Sequence, residues 1–176
     1  MRTMVKAVVL LLAVAFLAGL WQQRYGEEAR PGRSSAPFRT APATRSHSPR
    51  TAPELLSVAT AERDGHDRVT FTFQGAAPGW RVRYVPKVAG SGGGQAVPLD
   101  GEAFLEVTFE PARARDTAGR PTFPDGDIGP GAVSIRQVRF AGDFEGEVRF
   151  GIGVAGRDGF RVVEQGDPTR VAVDVR

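Results

Sequence analysis

The chain has 176 residues and a formal net charge of +3, and it contains no cysteine, which excludes disulfide staples, zinc ribbons, thiol catalysis and a lipid-modified N-terminal Cys. Residues 1–50 carry 8 Lys and Arg against 2 Asp and Glu, whereas residues 51–176 carry 15 against 18. The C-terminal part is therefore mildly acidic, which argues against nucleic acid as a partner, because that binding needs a basic face on the domain.

Residues 1–25 have the layout of an export signal. Arg2 and Lys6 precede an apolar run from Ala7 to Trp21, and no small-residue cleavage site stands at the proper spacing after Leu17. The segment is predicted to be either a cleaved signal peptide or a retained N-terminal hydrophobic helix that crosses the membrane with residues 5–21. A buried helix of a cytosolic protein is the remaining alternative. Both leading interpretations place the rest of the chain outside the membrane, anchored or secreted.

Residues 26–53 are rich in Pro, Arg and Ser, with Phe38 as the one large apolar side chain. So little apolar surface predicts a disordered linker, in which His47 is solvated. The linker would act as a spacer between the membrane and the domain at residues 54–176.

From residue 54 onward apolar residues recur at every second position, which predicts half-buried β-strands. The stretch RVTFTF places Val69, Phe71 and Phe73 on one face, and the last strand repeats the pattern with Val171, Val173 and Val175. Further inward residues are predicted, in chain order, at Leu56, Val58, Thr60, Leu105, Val107, Phe109, Val148, Phe150, Ile152 and Val154. Trp80, Val82 and Tyr84 share one face of another strand.

Turn-forming sequences such as Asp64-Gly65 and Asp100-Gly101 separate eight or nine such strands, which is typical of an all-β sandwich or open barrel. The strands at residues 68–73 and 170–175 share one pattern and are here called the two echoing strands. They are predicted to be neighbours. A change of phase between Ile135 and Val138 predicts a bulge, and one helical turn is expected within the long loop, from Ala112 to Asp116.

Catalytic and metal chemistry finds little support in the sequence. His66 lies in RDGHDR without a Ser on a sharp strand-to-helix elbow, so a turn histidine is favoured over a triad member. The Asp-Gly segments lack the full set of oxygen ligands of a calcium loop. No metal, cofactor or catalytic residue is predicted.

Aromatic and Arg side chains are the better candidates for ligand binding. Trp80 and Tyr84 share one face of a strand, and Arg81 and Arg83 share the other. Aromatic rings can stack on sugars, and Arg81, Arg83 and Arg68 could fork onto the carboxylates of peptide stems or uronic acids. The alternative is that the Trp80 face points inward, in which case the rings belong to the core.

The segment GDFEGEV presents Asp143, Glu145 and Glu147 around Phe144. An acidic hairpin that pairs with Arg68 or Arg170 is favoured. The alternative is a glycan-active enzyme that uses Asp143 or Glu145 as one of two catalytic carboxylates, which would need a cleft and a raised pKa.

Four stretches taken together resemble the AMIN-like domain of exported proteins from high-GC Gram-positive bacteria: GHDRVTFTFQGAAPGWRVRYV, PLDGEAFLEVTFEPARARDTAG, GDFEGEVRFGIGV and FRVVEQGDPTRVAVDV. Residues 168–175 also resemble the final strand of AMIN domains proper. The resemblance covers about residues 53–176. It implies a β-sandwich attached to a signal or anchor, and no binding residues carry over from the family.

AMIN domains are non-catalytic and are associated with the targeting of envelope proteins to peptidoglycan. The resemblance therefore implies an envelope-binding module whose partner is peptidoglycan or an envelope protein. The chain lacks a lipid-attachment Cys and an attached amidase or secretin domain, so a role of its own or in trans is expected. A protein-interaction module without glycan affinity, which adds a partner strand to a sheet edge, is the alternative.

Overall fold

A computed structural model of the chain describes residues 36–123, 128–129 and 133–176. The predicted N-terminal helix lies outside the described residues, among which no helix is long and apolar enough to span a bilayer. The strands within the described ranges are, in chain order, β1 Ala43–Arg45, β2 Glu54–Arg63, β3 His66–Gln74, β4 Trp80–Val85, β5 Ala103–Phe109, β6 Ile135–Phe144, β7 Glu147–Val154, β8 Phe160–Gln165 and β9 Thr169–Val175.

The strands form two antiparallel sheets, which confirms the predicted all-β sandwich. The five-stranded sheet has the order β1-β4-β5-β7-β6, and the four-stranded sheet has the order β2-β3-β9-β8. Alternate side chains of each strand face the other sheet, because successive residues of a strand point to opposite faces.

Phenylalanines dominate the core between the sheets. Phe71 of the four-stranded sheet packs against Phe109 and Phe150 of the five-stranded sheet, with ring centroids 4.8 and 5.0 Å apart. All three side chains are fully buried, as are Val171, Val173 and Val175. Tilted and edge-on rings at these distances stabilise the packing beyond the area they bury. The predicted inward faces of β3, β5, β7 and β9 are confirmed.

The two echoing strands are hydrogen-bonded neighbours, as predicted. Val69 of β3 lies opposite Val173 of β9, and Phe71 lies opposite Val171. The last strand therefore occupies the interior of the four-stranded sheet, between β3 and β8.

Two local predictions were wrong and one is confirmed. A bulge between Leu55 and Ser57 makes Leu55 the buried residue and leaves Leu56 41% exposed, although alternation had placed Leu56 inward. Residues 112–116 form no helical turn; they run as extended chain and bends, with Arg113 in a parallel bridge to Glu54. The predicted bulge appears as a register shift between Ile135 and Gln137.

The prediction of a disordered linker does not hold for residues 36–53. Residues 36–47, here called the strap, run from the edge of one sheet to the edge of the other. Arg39 exchanges two backbone hydrogen bonds of 2.8 Å with Phe160 of β8, and Ala43 then pairs with Val82 of β4. Low hydrophobicity misled the prediction, because the strap is held by backbone pairing with both sheets and needs few apolar side chains.

A buried carboxylate links the two sheets at another corner. Asp67 of β3 is fully buried, and its Oδ2 accepts hydrogen bonds from the backbone N–H groups of Val133, Ser134 and Ile135 at 2.7–2.9 Å. These bonds fix the start of β6 against β3, because a buried carboxylate is tolerated only when its oxygens have donors.

Two glycines of β7 allow the β4–β5 loop to fold back over the outer face of the five-stranded sheet. A Cβ atom on Gly153 would lie 1.9 Å from the backbone oxygen of Asp100, and one on Gly151 would lie 2.5 Å from Leu99 Cδ1. The close approach explains why glycine occupies the outward positions between the apolar residues of β7.

Removal of the strap should destabilise the domain. We expect residues 53–176 to unfold at a lower temperature than residues 36–176, with a loss of roughly 2 kcal/mol or more, because each lost backbone hydrogen bond contributes about 1 kcal/mol. Thermal unfolding followed by circular dichroism measures the difference. Equal midpoints would show that the strap is not bound to the sheets.

The substitution Gly153→Ala should lower the free energy of unfolding by about 1–3 kcal/mol, because the new methyl group overlaps backbone and not a mobile side-chain end. Urea denaturation measures the change. Gly166→Ala is the matched control, since a Cβ atom there meets nothing within 4 Å. A loss of similar size in both variants would contradict the packing explanation.

Candidate functional site

The structure does not bring the five predicted binding residues together in one site. Arg68 lies on the outer face of the four-stranded sheet, and the other four follow one another along β4. Trp80 and Tyr84 point inward, whereas Arg81 and Arg83 point outward and are exposed. The period-two pattern predicted these faces, but it could not say which neighbours cover each side chain.

Arg68 belongs to a buried ionic network centred on Asp174. The two residues lie opposite each other on β3 and β9, and Arg68 Nη2 donates to Asp174 Oδ2 at 2.9 Å while Nε donates to Oδ1. From the other side, Arg161 Nε of β8 donates to Oδ2 at 2.8 Å. Asp174 is fully buried, and His66 Nε2 lies 3.3 Å from its Oδ2. Arg68 thus serves the fold in this geometry.

Burial raises the pKa of Asp174, but the hydrogen bonds from Arg68 and Arg161 and the nearby positive charges outweigh burial, so the pKa lies below its ordinary value. The hydrogen bond to Asp174 also raises the pKa of Arg68. The carboxylate therefore stays ionised and holds two guanidinium groups on the outer face of the sheet.

The strap covers this network with Phe38. The guanidinium carbons of Arg161 and Arg176 lie 4.4 and 4.0 Å from the centroid of the Phe38 ring, and the His66 ring meets it edge-on. Cations stacked on a ring face are attracted to its electron density. The contacts show that Phe38 is bound to the domain and does not belong to a disordered linker.

Glu164 of β8 closes the edge of the sandwich. Its carboxylate accepts hydrogen bonds from Trp80 Nε1, from His47 at 3.1 Å and from Arg45 at 3.3 Å. Burial raises the pKa of Glu164, but the hydrogen bonds from Trp80 and His47 outweigh it, so the pKa is lowered. Trp80 is 9% exposed, so its ring packs at the edge of the core and is not an open sugar platform.

Tyr84 lies at the opposite end of β4, half-buried against Phe160. Its hydroxyl donates to the backbone oxygen of Asp158 at 2.6 Å, and Arg157 lies over its ring at 5.2 Å. Burial and the charge of Asp158 raise the pKa of Tyr84 to about 12. Tyr84 is therefore a neutral hydrogen-bond donor that anchors the β7–β8 loop.

Arg83 is paired on the surface of the five-stranded sheet. Its Nη2 and Nε donate to Oε1 of the cross-strand residue Glu106 at 2.8 and 3.0 Å. Glu106 is only 3% exposed, because Arg83 and the neighbouring Arg149 cover it. The Arg83 charge is therefore compensated within the sheet.

Arg81 lies in a different setting, the rim of an open pocket of about 260 Å³ between β1 and β4. This β1–β4 pocket is lined by Thr44, Arg45, Ser46, His47, Gly79, Trp80, Arg81, Thr108, Glu110 and Pro111. Arg81 is exposed, and within the described ranges it makes no ion pair. Thr44, Arg45 and Thr108 were not predicted as site residues. They come close to Arg81 only because β1 and β5 pair with β4, and the sequence pattern does not reveal that long-range pairing.

The acidic hairpin does not pair with Arg68 or Arg170, which corrects that prediction. Asp143 Oδ2 accepts a hydrogen bond of 2.7 Å from the backbone of Ala114, and Glu147 pairs with Arg149. Glu145 is exposed in the tight turn between β6 and β7, with a φ of 51°. Asp143 and Glu147 thus have structural roles.

His66 contacts a carboxylate, a backbone carbonyl and an aromatic ring, and the described part of the chain places no hydroxyl or thiol against its ring. Within the same residues no group of three or more His, Asp or Glu side chains could hold a metal ion. What the described residues define is a two-sheet antiparallel β-sandwich with a polar pocket at one open edge.

The sequence model of the AMIN-like domain matches residues 53–176, and the chain therefore belongs to the AMIN-like domain family. No curated protein and no solved structure matches the chain. The match begins after the strap, although the compact unit of the structure runs from Ala36 to Arg176.

The substitution Asp174→Asn should lower the free energy of unfolding at pH 7 by about 3–5 kcal/mol, because it leaves the buried guanidinium group of Arg68 and the partly buried one of Arg161 with too little negative charge. The pKa of this carboxyl is depressed in the folded state, so its contribution is present above about pH 4 and is lost as the pH falls through the folded pKa.

Urea denaturation from pH 7 to pH 2 measures both effects, and the variant should lose part of the acid sensitivity. Glu62→Gln removes an exposed carboxylate of β2 and is the control, with little expected change. Equal stability of Asp174→Asn and the parent at pH 7 would contradict the assigned network.

Proposed function

We propose that this domain is a non-catalytic binding module of the cell envelope, which contacts peptidoglycan or a wall-associated protein outside the membrane. Membership of the AMIN-like family supports a wall-related binding role. The observation that carries the proposal is the β1–β4 pocket, where the exposed Arg81 has no ion-pair partner in the described part of the chain. A guanidinium group in this state can fork onto the carboxylates of wall peptides or acidic sugars.

The roles of the acidic and His side chains favour binding over catalysis. Glycoside hydrolysis needs two carboxyl groups that flank a cleft, one of them with a raised pKa. Asp143 instead accepts a backbone hydrogen bond, and Glu145 lies in an exposed turn. His66 is packed beneath Phe38 and beside Asp174, which leaves it no room to serve a substrate.

In this proposal residues 1–25 bring the domain to the outer side of the membrane. They act either as a cleaved signal or as an anchor through residues 5–21. An anchored domain would sample the wall within the reach of residues 26–35, because the strap that follows is part of the folded unit.

A protein partner that adds a strand to β8 is the second candidate. Arg39 already pairs with Phe160 at this edge, which supports strand addition next to it. The backbone N–H and C=O groups of Val162 and Glu164 point to the same side of β8 as those of Phe160, because orientation repeats at every second residue of a strand. On that side, which faces away from β9, they have no backbone partner in the described ranges. Crosslinking in cells that traps one stoichiometric protein would support this candidate.

Sedimentation with insoluble cell wall tests the leading proposal. We expect residues 36–176 to pellet with purified wall, and we expect Arg81→Ala to reduce the bound fraction by about tenfold, because a charge-assisted hydrogen bond contributes 1.5–3 kcal/mol. Added salt should weaken binding, since the contact is exposed and screened.

Arg136→Ala is the matched control, because Arg136 is an exposed arginine on the edge strand β6, at the other side of the sheet from β1. Its bound fraction should equal that of the parent. A parent domain that stays wholly in the supernatant would overturn the wall-binding proposal and leave the protein partner.

A further inference from the structure

A polar row crosses the outer face of the five-stranded sheet beside the β1–β4 pocket. Thr44, Arg81, Thr108 and Arg149 lie opposite one another on β1, β4, β5 and β7. Neighbouring strands are about 4.8 Å apart, so Thr108 lies between two arginines whose side chains are long enough to reach over it. The row therefore alternates hydroxyl and guanidinium groups.

Two atoms of this row are buried without a hydrogen-bond partner in the described part of the chain: Thr108 Oγ1 and Arg149 Nε. Such orphans are rare in folded proteins, because a buried polar group without a partner is costly. Here the two orphans lie on neighbouring strands, directly opposite each other in register. A single group brought from outside could satisfy both.

The donors at this point define what that group must be. The remaining nitrogens of Arg149 are committed, since Nη1 donates to the backbone oxygen of Ala89 and Nη2 to Glu147. Nε is the buried nitrogen of Arg149 that has no partner, and like Arg81 it can donate but not accept. A threonine hydroxyl can also donate. Three donors, two of them N–H groups of guanidinium side chains, fit an acceptor that carries negative charge.

We propose that this row is an oxyanion site, in which Arg81, the Thr108 hydroxyl and Arg149 Nε hold one singly charged oxyanion of the ligand. The inference rests on the proposed function and specifies the chemical group that the wall ligand presents. A carboxylate of a peptide or acidic sugar and a phosphodiester of an anionic polymer share this chemistry.

The surrounding charges favour a single negative charge over two. Glu110 lines the pocket and repels an incoming anion, whereas Arg45 is paired with Glu164. Glu106, near Arg149, is already held by Arg83. Glu147 pairs with Arg149 and compensates its charge. The net attraction therefore comes mainly from the unpaired Arg81 and is reduced by Glu110. A dianion would meet more repulsion and a neutral amide would gain no charge assistance.

The experiment uses the full chain in mild detergent and three probes: a muramyl peptide with a free carboxylate, the same peptide fully amidated, and poly(glycerol phosphate). Titration calorimetry and NMR shifts of the Arg81 and Arg149 side chains report binding. We expect saturable binding of one or both anionic probes, none of the amide, and shifts at both arginines. Whichever anionic probe binds identifies the source of the oxyanion.

Four variants test the assignment. Arg81→Ala should weaken anion binding by roughly tenfold or more, and Thr108→Val by about threefold to tenfold. Glu110→Gln should tighten it, because the substitution removes a repelling charge from the rim. Arg136→Ala should have no effect.

Thermal unfolding separates binding from a structural role. The Thr108 hydroxyl has no partner in the free protein, so Thr108→Val should leave the unfolding midpoint unchanged or raise it while it weakens anion binding. A lowered midpoint with unchanged anion binding would overturn the inference.

The inference and the proposed function can fail separately. The oxyanion site is overturned, and wall binding is left intact, by one combination of results. In it, Arg81→Ala and Thr108→Val still sediment with wall, and no probe changes the NMR shifts of the Arg81 side chain. Anionic probes that bind at Arg81 while the parent does not sediment with wall support the oxyanion site and overturn the proposed function.

Discussion

The antiparallel pairing of β3 with β9 is the interaction on which the rest of the structure depends. It joins Arg68 to Asp174, which are 106 positions apart, and inserts the last strand into the interior of the four-stranded sheet. Its inner face supplies valines to the core, and its outer face supplies the carboxylate that holds two guanidinium groups. Because β8 pairs with β9, the same placement positions Phe160 and Glu164, to which the strap is bound.

The regular strands were predictable because a sandwich strand with one buried face must alternate apolar and polar residues. For Val69 and Phe71 the alternating pattern of the sequence was enough to predict that they point inward. The strap was not predictable, because its backbone bonds to Phe160 leave no trace in the side chains of residues 36–47. The reversed order of Leu55 and Leu56 was missed as well, since a bulge adds one residue without changing composition.

The candidate site was predictable only in part. Alternation separated the outward Arg81 and Arg83 from the inward Trp80 and Tyr84, but it could not distinguish a paired arginine from an unpaired one. That difference depends on Glu106, which faces Arg83 across the sheet, and on Thr108, which faces Arg81. Cross-strand register is a property of long-range pairing, so the pocket could be found only after the strands were assembled.

The interior position of β9 limits the order in which the strands of the domain can fold. As the polypeptide is delivered residue by residue, β2 and β3 can form a hairpin early, but one long edge of that hairpin stays open until residues 169–175 arrive. Such distant closure slows folding, and the open edge is a template for self-association during the wait. The outer edge of β3 therefore stays unpaired until the final segment has entered the sheet.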